Sequence, residues 1–166
     1  MKAFSFVEII IAVAIASAVF VAVFSLAFQN LSAAQLTRQR FIAAHLAQEG
    51  IEIVVNKRSS NWLIFPGDPL KWREGLGDGA AYIAQYNSTA LASDPSNPPL
   101  VIDSDTSLYC HPSLDPACAG TASPYRRQIR ISTISDHQMK VVSTVTWTYN
   151  DQTRSVSVED RLYNWR

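Results

Sequence analysis

The chain has 166 residues, enough for one modest core plus an anchoring segment. Acidic and basic residues balance at 14 each, which removes the electrostatic case for a nucleic-acid ligand or an anionic membrane surface.

From Ile9 to Phe28 the sequence is apolar, with only Ser17 and Ser25 interrupting. About twenty helical residues at 1.5 Å each match a hydrocarbon core of roughly 30 Å. Glu8 stands at the mouth of this run with apolar residues on both sides. A carboxylate there costs roughly 2–3 kcal/mol if it lies deep, so it calls for a partner. A cleaved secretory signal has an apolar core of about 7–15 residues, shorter than this run, and here the charged residue interrupts on the wrong side. A plain signal anchor leaves Glu8 unexplained.

The string Ala3-Phe4-Ser5-Phe6-Val7-Glu8, followed by the apolar run, resembles the amino-terminal signal of type IV prepilins and pseudopilins. The resemblance implies a leader, residues 1–3, cut between Ala3 and Phe4 by a prepilin peptidase that also N-methylates Phe4. It implies that Glu8 pairs with the Phe4 amine of a neighbouring subunit, so that two charges costly in a low-dielectric bundle become tolerable together. Ala3 departs from the glycine that the family prefers. Leu46-Ala47-Gln48-Glu49-Gly50-Ile51-Glu52, then Asn61-Trp62, and Leu162-Tyr163-Asn164-Trp165 resemble strings found in minor-pilin-like chains.

No proline or glycine occurs between Phe4 and Ala47. The pattern predicts one helix from Phe4 to about Asn56, roughly 80 Å long. Residues 4–28 form its membrane half and residues 29–56 its amphipathic half. Leu31, Ala34, Ile42, Leu46 and Ile53 share one face, with Gln35, Arg38, Gln39 and Glu49 left to water. Ala12, Ala14, Ala16, Ser17, Ala18 and Ala22 permit close helix approach in a membrane. Many major pilins carry a proline within this helix; its absence favours a minor pilin or a pseudopilin.

Residues 57–123 hold five of the six glycines and seven of the eight prolines, the composition of turns and irregular chain. Recurrent Trp62, Phe65, Trp72, Tyr82, Ile83 and Tyr86 require burial and exclude a disordered linker. Ala81 to Tyr86 suits a short strand, and 100–102 with 107–109 flank a turn as a small hairpin. Cys110 and Cys118, eight positions apart, read as a disulfide on the exported side of a membrane. Free thiols remain the alternative.

Residues 124–166 alternate as three strands. Ile129 and Ile131 oppose Arg126, Gln128 and Arg130. Val141, Val145, Trp147 and Tyr149 share a second apolar row, and Val156, Val158 and Leu162 a third. Two polar turns join them into an antiparallel meander, and the amphipathic helix is the long element available to cover its apolar face. The expected class is α+β and pilin-like: a long helix packed on a carboxy-terminal antiparallel sheet.

No catalytic constellation emerges, and no enzyme activity, metal or cofactor is expected. His45, His111 and His137 have no sequence link to one another. Gly75-Leu76-Gly77-Asp78-Gly79 lacks the strand and lysine of a phosphate loop. Asp103, Asp105 and Asp115 would suit calcium, yet Asp-Ser-Asp-Thr reads first as a turn. Asn87-Ser88-Thr89 is a formal glycosylation sequon.

The expected role is a structural filament subunit, with like pilin subunits, the prepilin peptidase, an inner-membrane assembly platform and membrane lipid as partners, and with no nucleic acid. Lys2 ahead of the apolar run places the amino end in the cytoplasm and the remainder outside, finally in a filament at the cell surface. A pseudopilin of a secretion or DNA-uptake system, and a membrane-anchored binding module, are the alternatives.

Overall fold

The computed structural model describes residues 5–68, 70–79 and 81–164. One helix, α1 (Phe6–Ile64), is followed by a short 3-10 turn (Lys71–Arg73) and eight strands: β1 (Ala81–Ile83), β2 (Ala92–Ser93), β3 (Val101–Asp103), β4 (Tyr109–Cys110), β5 (Gly120–Ala122), β6 (Arg126–Ser135), β7 (Gln138–Tyr149) and β8 (Gln152–Tyr163). The chain divides into two units, the first ending at Gln39 and the second beginning at Arg40.

In the first unit the described residues are helical from Phe6, and every side chain but Leu36 and Gln39 is exposed. An apolar helix bare of protein on all sides is the pattern of a segment made for lipid or for other helices. It is long and apolar enough to cross a membrane.

The second unit is α+β. A five-stranded antiparallel sheet has the order β2-β1-β6-β7-β8, and a smaller sheet has the order β4-β3-β5. The helical stretch from Ala43 lies on the large sheet. Ala43, Leu46, Ala47, Val145 and Trp147 meet near one end. Ile51, Ile53 and Val54 meet Ile129, Ile131, Met139, Val141 and Leu162 toward the other. The inward rows on β6, β7 and β8 are those that the alternation predicts. Asn150 and Asp151 both adopt positive φ (50° and 58°), the turn that joins β7 to β8 in two residues. The small hairpin also forms, with Val101 opposite Cys110 and Ile102 opposite Tyr109.

The helix departs from expectation in three respects. It ends at Ile64 rather than near Asn56. Buried Asn61 donates from Nδ2 to the Trp72 and Glu74 carbonyls at 3.1 and 2.8 Å, which holds the last two turns in place. Leu31 and Ala34 are exposed, because the sheet meets α1 only from about Ile42. Glu49 does not stay in water: its side chain is 30 % exposed and engages a buried arginine.

Candidate functional site

Of the residues expected to carry processing and assembly, Glu8 sits at the start of α1. Ala3 and Phe4 lie outside the described residues, so the amine that Glu8 is expected to meet is not placed. Glu8 is exposed in the first helical turn, and its N–H donates to the Ser5 carbonyl at 3.0 Å. A carboxylate there faces the positive end of the helix dipole. An apolar strip of Ile9, Ala12, Val13 and Ala16 adjoins it, with the small Ala12 and Ala16 one turn apart. Glu8 is the one ionisable side chain in α1 before Arg38.

Cys110 and Cys118 form a disulfide that closes the loop after β4. Asp103 turns its oxygens onto its own hairpin, accepting from the N–H groups of Asp105 and Thr106, the Thr106 hydroxyl and the Ala119 N–H. These bonds, those from Thr106 foremost, lower its pKa. Asp115 accepts from the Ala117 N–H, so both carboxylates act as turn caps. Among the described residues no group of three His, Cys, Asp or Glu is placed to hold a metal ion.

The three histidines occupy different settings. His45 stacks edge-on against Phe41 within α1, with ring centroids 4.3 Å apart. His137 sits in the β6–β7 turn, where its carbonyl accepts from the Asn164 N–H. His111 is wholly buried, and neither ring nitrogen has a protein partner. Burial first, and then the Arg127 cation, push its pKa down to about 4, against a smaller opposing pull from Asp94. Its N–H is held by Gln85 Oε1 at 2.9 Å. The Gly75–Gly79 segment is a turn with φ of +73° and +72° at its two end glycines.

Arg127 is the buried polar centre that the sequence reading passes over. Its guanidinium is 1 % exposed and binds three groups: the Leu46 carbonyl and Glu49 of α1, at 3.1 Å each, and the Ala84 carbonyl just after β1, at 2.6 Å. Burial lowers its pKa, and the Glu49 charge works against that. The signal was available, since alternation from Ile131 and Ile129 places residue 127 on the same inward row.

Two of the minor-pilin-like strings meet in space. Trp62 Nε1 donates to Asn164 Oδ1 at 3.4 Å, joining the end of α1 to the segment after β8. Trp165 of that string lies outside the described residues. Compared with known proteins, the chain matches no family model, no curated protein and no solved structure.

Proposed function

We propose that this chain is a structural subunit, of the minor type, of a type IV pilus or related pilin-like filament. It acts by polymerising through the first half of α1 after a peptidase cuts between Ala3 and Phe4 and methylates Phe4. The observation that carries the reading is Glu8 alone among charges at the start of an otherwise bare, apolar helix. Membrane insertion is easier without that carboxylate, so its purpose lies in a contact between chains. The continuation of the same helix onto an antiparallel sheet, and a disulfide suited to an exported head, support the reading.

On this reading Lys2 stays on the cytoplasmic side and the second unit is exported. The partners are other pilin subunits, the prepilin peptidase, an assembly platform and, before assembly, lipid. The protein is not an enzyme. The uninterrupted helix also favours a second reading, a pseudopilin of a type II secretion or DNA-uptake system.

Mass spectrometry of the chain from its native membrane and from sheared filaments tests the proposal. N-methyl-Phe4 as the first residue is the expected result. An intact Ala3–Phe4 bond in assembled material, or a cut beyond Phe28, would reject it and leave the anchored binding module. A filament lacking this chain while the membrane holds its N-methylated form would favour the secretion role.

A further inference from the structure

The large sheet ends at β8, and no further strand adjoins that edge among the described residues. The strand is twelve residues long, contains no proline, and keeps one unbroken register with β7 from Gln152 to Tyr163. Exported proteins commonly shorten, bulge or cover an edge of this length, because its free N–H and C=O groups invite another strand. The Asn164 N–H donates to the His137 carbonyl, which sets the phase of the ladder. Even-numbered residues of β8 therefore turn their backbone toward β7, and odd-numbered residues from Thr153 to Arg161 turn theirs outward.

We infer that this edge pairs antiparallel with β8 of a second copy of the chain, about a two-fold axis at Ser157. In this register Ser157 faces its own counterpart, Ser155 faces Glu159, and Thr153 faces Arg161. On the inward row, Arg154 falls opposite Asp160 and Val156 opposite Val158, at the closer non-hydrogen-bonded pairs. The row Arg154, Val156, Val158, Asp160 is thus complementary to itself when reversed. Moving the axis to Val156 or Val158 leaves both charges without an opposite across the edge, where Asp160 keeps only Arg58 of its own chain. Moving it to Glu159 sets two carboxylates face to face, so charge selects one register. In the single chain Asp160 Oδ1 accepts from the Arg161 N–H at 2.8 Å, a local contact that occupies one outward donor until a partner arrives.

The geometry also sets the direction of the partner. Within the second unit, α1 runs from the Trp147 end of the sheet toward Leu162, along β8. A two-fold axis normal to the sheet reverses that direction in the other copy. The pairing therefore joins two second units whose helical stretches run in opposite directions. It goes beyond the filament reading and holds or fails independently of it.

Cysteine pairing in the full chain tests this. In detergent, mildly oxidised Ser157→Cys should give a covalent dimer, since the paired Cα atoms would lie about 5.5 Å apart. Ser155→Cys or Glu159→Cys alone should give roughly tenfold less, because four strand positions separate like residues by about 13 Å. R154D or D160R should each lower the Ser157→Cys yield about tenfold, and the combined charge swap should restore it. Equal yields at 155, 157 and 159, no dimer at 157, or no rescue by the swap would overturn the pairing.

Discussion

Gly50 of α1 and Ser143 of β7 touch across the helix–sheet interface with no room for a Cβ between them. A methyl at Gly50 would collide with Ser143 Oγ and press on Ser143 Cβ and Arg127 Cδ, at 3.1 and 3.3 Å. Glycine inside a helix costs about 1 kcal/mol relative to alanine, and here the close approach of helix and sheet explains it. Gly50→Ala should destabilise the head by about 1–2 kcal/mol, because overpacking outweighs the gain in helix propensity. Ser143 Oγ is buried without a partner, so Ser143→Ala alone should be nearly neutral. Adding Ser143→Ala to Gly50→Ala should recover about 1 kcal/mol, read as non-additivity in urea unfolding of the four chains.

Arg127 and Glu49 make a second prediction at the same seam. Arg127→Ala strands the Ala84 carbonyl and leaves the half-buried Glu49 without its cation, and should cost about 3–5 kcal/mol. Glu49→Gln keeps a hydrogen-bond acceptor and should cost less, since Arg127 retains the Leu46 and Ala84 carbonyls. Arg127→Met combined with Glu49→Gln should recover much of the Arg127→Ala loss. Denaturant midpoints at constant m-value would check the ranking.

The contrast between these residues and the strand rows marks what was legible in the sequence. Period-two alternation on β6, β7 and β8 recurs over ten or more residues, so tertiary context could not easily override it. The end of α1 was not legible in the same way. Lys57-Arg58-Ser59-Ser60 reads as a change of composition, and what keeps it helical is Asn61 bonding carbonyls eleven and thirteen residues away. Glu49 and Arg127 lie 78 positions apart in the chain, and neither predicts the other without the fold. At the candidate site, Glu8 and the two cysteines stood out because each is a local anomaly. His111 did not, because burial of a loop histidine is decided by Gln85 and the strands around it.

His111 gives the head an acid-sensitive component. Its folded pKa is about 4, and the unfolded imidazole titrates near 6.5. Between those values the unfolded chain binds a proton that the folded chain refuses. Stability is therefore lost as pH falls from about 6.5 to 4, and this contribution levels off below. The loss should reach roughly 2–3 kcal/mol. His111→Gln should lack this loss, so the wild-type-minus-variant stability should fall by about that amount across the window, measured by urea unfolding at pH 7, 5.5 and 4. A parallel pair of curves would remove His111 as the cause.

The disulfide predicts that denatured, unreduced protein shows no titratable thiol, whereas reduction exposes both cysteines. Closing this short loop should contribute about 2.5 kcal/mol on the chain-entropy account. The paired Cys110→Ser and Cys118→Ser variant should lose about that much in thermal or urea unfolding. The effect should concentrate in the β3–β4–β5 sheet, because Cys110 is itself opposite Val101 there.

The assembly role of Glu8 is the sharpest test of the filament proposal. An apolar run inserts more readily without a carboxylate, so Glu8→Val should leave membrane insertion, cleavage after Ala3 and folding of the second unit intact. What should fail is entry into the filament, because the amine of the adjoining subunit would be left without its counter-charge. An uncompensated charge in a low-dielectric bundle costs a few kcal/mol, enough to reduce incorporation by a factor of order 100. Glu8→Gln keeps the shape and a hydrogen-bond acceptor and removes only the charge, so its incorporation should lie between those of Glu8→Val and wild type. Glu8→Asp keeps the charge on a shorter arm and should lose least. The comparison is the amount of each variant in the membrane fraction against the amount in sheared filaments. Should Glu8→Val enter filaments at the wild-type ratio, the charge pairing is not what drives assembly, and packing along the Ile9, Ala12, Val13 and Ala16 strip would have to supply the specificity instead.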